Sequence, residues 1–150
     1  MPKLFIDNLC WLDRFFFRLS SSGKLLYLYC LCPPNPQAHG IHAITLVETR
    51  FHTKLPQRDI NKLFVLFESQ GKIKWMQSEH KIWVKDYILT QTMNPSCAVK
   101  LKACLRAEPP ALIKEYVDYY NDMGYWTAHH IDMADIFDPP KPKPKKNRKP

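Results

Sequence analysis

Between Gln57 and Gln70, Ile60, Leu63, Phe64 and Phe67 fall at i, i+3, i+4 and i+7. That spacing is the apolar stripe of an amphipathic helix laid against a core. Arg58, Asn61 and Lys62 fall off the stripe. Pro56 suits the first turn, where its missing N–H has no intrahelical partner, and Gly71 suits the C-cap. The period then drops to two. Ile73 and Trp75 take one side, with Lys72, Lys74 and Met76 on the other, as in a half-buried strand. Gln77-Ser78-Glu79-His80 is a polar reversal, and Lys81 to Lys85 reads as the return strand of a β-hairpin. Upstream, Thr45 with Glu48 three residues on has the form of a capping box. It opens a helix whose apolar side is read as Leu46, Val47, Arg50 and Phe51 and which ends near His52 to Lys54. Leu55-Pro56-Gln57-Arg58 is the turn. Thr45 to Val84 therefore predicts helix, turn, helix, hairpin.

The flanks are less periodic. Residues 5–18 are aromatic and irregular, with Trp11, Phe15, Phe16 and Phe17 expected to pack onto the body. Ser20 to Ser22 offers an N-cap to an apolar helix over Lys24 to Cys32, with Leu25, Leu28, Tyr29 and Cys32 expected as its core face. Pro33-Pro34-Asn35-Pro36 stops it. Gly40 to Ile44 reads as a short strand able to pair with the hairpin. After the hairpin, Asp86 to Thr92 begins a helix, Asn94-Pro95-Ser96 breaks it, and Ser96 to Arg106 forms another. Pro109-Pro110 opens a helix reaching about Met123, with a stripe at Leu112, Ile113, Tyr116, Val117 and Tyr120. This stripe is read as core, with a homodimer face as its alternative. Residues 125–138 are mixed and acidic. From Pro139 the chain is Pro- and Lys-rich without apolar residues and reads as disordered. The expected fold is mainly α with a small β-hairpin (α+β): a winged helix-turn-helix with extra C-terminal helices. The expected parts are a DNA-binding body at 1–106, an acidic arm at 107–138 and a basic tail at 139–150.

Charge sharpens this division. Residues 1–106 carry +8, residues 107–138 carry −6 and residues 139–150 carry +6. The window Lys54 to Lys85 alone holds seven Lys/Arg against three acids. A basic body, an acidic arm and a basic tail are separate electrostatic objects. The acidic arm reads as a solvated helix face, with phosphate mimicry or partner docking as alternatives. The tail reads equally as a solubilising segment or as an added source of nonspecific DNA affinity. No apolar run approaches the roughly 18 residues of a membrane-spanning helix. The first seven residues make a poor export signal, so a soluble intracellular protein is expected. Five cysteines, an odd number with no CxxC, fit reduced thiols.

Motifs for chemistry are missing. There is no P-loop, GxSxG, HExxH, or HxE with PCxxC, and four glycines leave little for a phosphate-cradling loop. Cys30, Cys32, His39 and His42 match no standard zinc spacing. Adjacent His129 and His130 diverge by about 100° on a helix and do not converge on one ion. No enzyme activity, metal or cofactor is expected. Binding chemistry is better represented. In a helix-turn-helix the second helix enters the major groove and its N-terminal residues meet base edges. Here those are Gln57, Arg58, Asn61 and Lys62. Arg reads guanine with two bonds, Asn and Gln read adenine, and Lys serves phosphate or guanine. Lys72, Lys74, Gln77, Ser78, His80 and Lys81 on the hairpin are expected on the adjacent backbone or minor groove.

Ser20 to Lys85 resembles the N-terminal winged-helix domain of DnaD-like phage replication-initiation proteins, the replisome organisers. The resemblance rests on Ser-Ser-Ser-Gly-Lys-Leu-Leu-Tyr-Leu-Tyr at 20–29, Asn35-Pro36, Gly40-Ile41 and Leu55-Pro56. It continues in Phe67-Glu68-Ser69-Gln70-Gly71-Lys72-Ile73, in Ile82-Trp83-Val84-Lys85-Asp86-Tyr87-Ile88, and in the small helix from Asn94-Pro95 to Leu105. It covers roughly residues 11–118. It implies double-stranded DNA as ligand, origin binding in phage or prophage replication, and recruitment of a replicative helicase or helicase loader. Members of that family usually carry a longer C-terminal region for partner binding and oligomerisation than follows here. A winged-helix transcriptional regulator, or an adaptor that keeps the fold without DNA binding, are the alternative readings.

Overall fold

The computed structural model describes residues 3, 4 and 6–138. The expected tail at 139–150 lies outside the described residues. The chain divides into two compact units, Met1–Cys104 and Leu105–Pro150.

The first unit opens with a 3-10 turn, Asn8–Leu12, and a short helix α1, Arg14–Arg18. The Asp13 carboxylate starts α1 by accepting from the amides of Phe15 and Phe16, at 2.7 and 3.3 Å. Phe16 is buried, whereas Trp11 and Phe17 remain exposed. The expected packing of this aromatic segment thus holds for part of it.

Helix α2, Ser21–Leu31, is capped by the Ser20 hydroxyl accepting from Gly23 N–H at 3.1 Å. Its inner face differs from the expected one. Leu26, Tyr27, Cys30 and Leu31 are buried, while Leu25 is exposed and Leu28, Tyr29 and Cys32 are half-buried. A helix apolar on every side carries no stripe in its sequence, so its neighbours choose the face. Gly23 makes part of that choice. A Cβ there would lie 3.2 Å from Leu19 Cβ and 3.3 Å from Leu63 Cδ2. Tyr27 makes another part, donating its hydroxyl to Asp86 at 2.8 Å.

Strand β1, Ile41–Ala43, leads to helix α3, Leu46–Thr53, and then to helix α4, Gln57–Ser69. Thr45 caps α3, accepting from Glu48 N–H at 3.2 Å and donating to the Glu48 carboxylate at 3.1 Å. The assigned apolar side of α3 is a correction. Val47 and Phe51 are 76% and 67% exposed, and the buried positions are Thr49 and Thr53. Each threonine satisfies its hydroxyl on the carbonyl one turn back, Thr49 on Thr45 and Thr53 on Thr49, both at 2.7 Å. Such back-bonding lets a polar residue sit inward without an orphan donor.

In α4 the amphipathic stripe is where the spacing put it: Ile60, Phe64 and Phe67 are buried and Leu63 is half-buried. The chain leaves α4 through Gly71, whose φ of 70° is a left-handed value glycine adopts without a Cβ clash. Strands β2, Ile73–Met76, and β3, Lys81–Val84, follow, joined by a 3-10 turn at Gln77–Glu79. The sheet is antiparallel in the order β1-β3-β2, with Ile73 opposite Val84, Trp75 opposite Ile82 and Ile41 opposite Trp83. The β2–β3 hairpin and its pairing with β1 match the sequence reading. Ile82, Trp83 and Val84 are all buried, so the middle strand is covered on both faces. Trp75 packs on Phe64 with ring centroids 5.1 Å apart, fixing the hairpin to α4. Helix α5, Tyr87–Thr90, and helix α6, Pro95–Arg106, complete the run, and α6 crosses the division between the units.

In the second unit, helix α7, Pro110–Asp122, buries Leu112, Ile113, Tyr116 and Tyr120, and a short helix α8 spans Tyr125–Ala128. Trp126 donates from its indole to Val117 O at 2.9 Å, and Tyr116 and Tyr120 pack against it. The stripe on α7 is therefore core within its own unit. No helix among the described residues is long and apolar enough to cross a membrane. The molecule is mainly helical with one small antiparallel sheet.

Candidate nucleic-acid interface

Burial of Ile60, Phe64 and Phe67 turns the opposite side of α4 outward. Arg58 and Lys62 are exposed there, and Gln57 is exposed at the first turn, on the side facing the hairpin. The Arg58 side chain is 80% exposed and lies 3.6 Å from Asp59. An ion pair in that setting is weak, with a typical worth below about 1 kcal/mol, so Asp59 costs Arg58 little of its reach. Asn61 is half-buried beside them. Its carboxamide oxygen is buried without a hydrogen-bond partner among the described residues, which withdraws that acceptor from the surface.

The hairpin brings a second group close to the start of α4. Gln57, Gln77 and His80 line one groove of about 280 Å³ with Thr45 and Val47, beside the Phe64 and Trp75 rings. His80 takes a left-handed backbone at φ 51°. Its amide donates to Gln77 O at 3.2 Å and its carbonyl accepts from Ile44 N–H at 2.8 Å, tying the tip to the end of β1. Gln77, Ser78 and His80 are exposed at this tip, as is Glu79, the one acid there. Lys74 and Lys81 are half-buried on the strands, opposite Trp83 and Met76 respectively.

Lys72 is drawn into an ion-pair cluster. Its ammonium lies 3.0 Å from Asp86 and 3.3 Å from Asp13, with 21% of its side chain exposed, and it sits 5.2 Å from the Phe15 ring centroid. Burial alone would lower the pKa of Lys72, but hydrogen bonds and charge from Asp86 and Asp13 raise it above the ordinary lysine value. The alternation of β2 marked Lys72 as outward. Two carboxylates from distant stretches, invisible to that alternation, capture it.

The structure also adds cations that the periodicity had hidden. Arg50, Lys54, Arg58 and Lys62 recur every four residues across α3, the turn and α4, and all four are exposed. Arg50 and Lys54 line an open groove with Val47, Phe51, Leu55 and Pro56. Lys54 ends α3 with φ 60° and holds its ammonium 4.5 Å from the Phe51 ring centroid, a cation–π contact. The four-residue recurrence carries this signal in the sequence, although Arg50 there falls among the residues read as the apolar side of α3.

Among the described residues no group of His, Cys, Asp and Glu is placed to hold a metal ion. Cys30 is fully buried and burial raises its thiol pKa, so it stays protonated as core. His42 is also fully buried. Its Nδ1 accepts from Gln37 N–H at 3.1 Å, and burial, then the nearby His39 charge, hold its pKa down to about 3. His129 and His130 are both exposed at the end of α8. No family model, no curated protein and no solved structure matches the chain.

Proposed function

We propose that this chain binds double-stranded DNA as a winged helix-turn-helix and acts in the initiation of phage or prophage replication. The observation that carries the reading is the row of exposed cations Arg50, Lys54, Arg58 and Lys62, running across a helix–turn–helix whose second helix shares a groove with the tip of a β-hairpin. The chain order of α2, β1, α3, α4, β2 and β3, with β1 paired to β3, is the connectivity such a domain uses.

In this reading the start of α4 enters the major groove. Arg58 takes guanine through two bonds, Gln57 takes adenine, and Lys62 takes phosphate or guanine. Arg50 and Lys54 neutralise backbone phosphates beside the groove, fixing register without reading sequence. Gln77, Ser78 and His80 at the hairpin tip, with Lys74 and Lys81 behind them, follow the neighbouring backbone or minor groove. The replication step, with recruitment of helicase or its loader, rests on the likeness of Ser20 to Lys85 to replisome organisers.

The test has two parts. Fluorescence anisotropy with a labelled duplex of about 20 base pairs, at about 50 mM salt, is expected to show micromolar or tighter binding. No binding by the wild-type chain at that salt overturns the reading. Sequencing genomic fragments captured by the chain then separates roles. Enrichment of a replication origin supports initiation, and enrichment of a promoter alone points to a transcriptional regulator.

A further inference from the structure

Away from the cation row, a second groove of about 320 Å³ lies between α1 and the far end of α4, lined by Arg14, Phe15, Arg18, Leu19, Leu66 and Gln70. Its base is apolar and its rim is cationic. Phe15 is held in place by edge contacts to Tyr27 and Phe67, with ring centroids 5.2 and 5.7 Å apart. Leu66 is 41% exposed, on the part of α4 that turns away from its own core. Arg14 and Arg18 are both exposed, and neither guanidinium makes an ion pair or hydrogen bond among the described residues. No acid lines the groove.

We propose that this groove docks an acidic amphipathic helix of a partner protein. The two arginines stand one helical turn apart, a rise of about 6 Å. That matches carboxylates placed four residues apart on a partner helix. Arg binds carboxylate through two parallel bonds, a geometry lysine cannot supply. Apolar side chains on the same partner face fill the space over Phe15, Leu19 and Leu66. Arginine beside an apolar pocket is the composition in which interface energy concentrates. A DNA backbone would satisfy the arginines but has no apolar side to cover Leu66. The acidic α7 of a second copy is also a poor match, because its apolar face of Leu112, Ile113, Tyr116 and Tyr120 is buried within its own unit. This docking does not depend on DNA binding. Leu66 lies eight residues beyond Arg58 on α4, about 12 Å along the helix axis.

The probe is a fluorescent synthetic helix of leucine and glutamate, with leucines at i, i+3, i+4 and i+7 and glutamates four apart, titrated with the full chain. Wild type is expected to bind it, and a version with lysine replacing glutamate is expected not to bind. Arg14→Glu with Arg18→Glu, and separately Leu66→Ser, are each expected to weaken binding by about tenfold or more, with unchanged circular dichroism and unchanged duplex-DNA affinity. Leu66→Ser removes the apolar contact and keeps the charges, so it separates docking from plain attraction. The proposal is overturned if wild type ignores the acidic peptide or binds the lysine version equally. It is also overturned if Leu66→Ser binds as wild type, or if the arginine pair proves to matter for DNA and not for the peptide.

Discussion

Two polar side chains, the half-buried Lys72 and the buried His42, show how single residues bear on stability. Lys72 joins Asp13, before α1, to Asp86, after β3, and Asp86 in turn accepts from Tyr27 on α2. Replacing one member of such a cluster leaves its partners uncompensated. Lys72→Met is therefore expected to lower unfolding free energy by about 1–2 kcal/mol, after discounting for solvent access. It should leave the salt dependence of DNA binding unchanged. Urea unfolding and DNA titration of the same variant check both halves, and a reduced DNA salt slope would return Lys72 to the binding surface. His42 gives a pH dependence. Its folded pKa of about 3 lies below the unfolded value near 6.5, so the unfolded chain binds the extra proton. The stability His42 contributes is complete above about pH 6.5 and is lost as pH falls toward 3. Between pH 7 and 5 the loss is expected to reach about 2 kcal/mol. His42→Gln should flatten that part of the curve, as read from urea midpoints against pH.

At the scale of elements, legibility followed contrast. The α4 stripe and the alternation of β2 were legible because polar and apolar residues differ sharply around those elements, and Ile60, Phe64, Phe67 and Ile73 are buried as their spacing demands. The inner faces of α2 and α3 were not legible. Helix α2 offers apolar residues on all sides, so Gly23 and Tyr27, through contacts distant in sequence, set its rotation. Helix α3 is eight residues long, and its inward residues are threonines that close their own hydrogen bonds, a pattern hydrophobicity alone does not reveal. The candidate surface was legible to the same degree. Arg58 and Lys62 followed from the stripe and Gln57 from its place at the start of α4, whereas the ion pairs of Lys72, the inward oxygen of Asn61 and the exposure of Arg50 and Lys54 depend on tertiary packing. A pair of substitutions checks the face assignments. Phe64→Ala should cost about 3–5 kcal/mol, since it empties a fully buried site. Phe51→Ser, on the exposed side of α3, should change stability by less than about 0.5 kcal/mol. Thermal unfolding of the two variants reads the contrast, and a large loss at Phe51 would mean that α3 is rotated.

For the whole molecule, charge is unevenly distributed along the chain. The body is basic and the stretch at 107–138 is acidic, at +8 and −6. Two groups of exposed cations on the body each stand beside a groove. One is Arg50 with Lys54, followed along the chain by Arg58 and Lys62 on α4, and the other is Arg14 with Arg18. Under the proposed function the first meets a duplex. The second has an apolar base suited to a protein helix. Under the two proposals together, one chain holds DNA and a partner protein at once.

The most direct measurement of the central claim is the salt dependence of duplex binding by wild type and by the Arg58→Ala, Lys62→Ala variant. Each phosphate contact contributes about 0.9 to the slope of log K against log salt. Wild type should bind with a steep negative slope. The double variant should bind more weakly at every salt concentration, by roughly tenfold or more at low salt, with a slope shallower by about 1–2. Equal affinity and equal slope for the two proteins would contradict the account and remove α4 from the DNA interface.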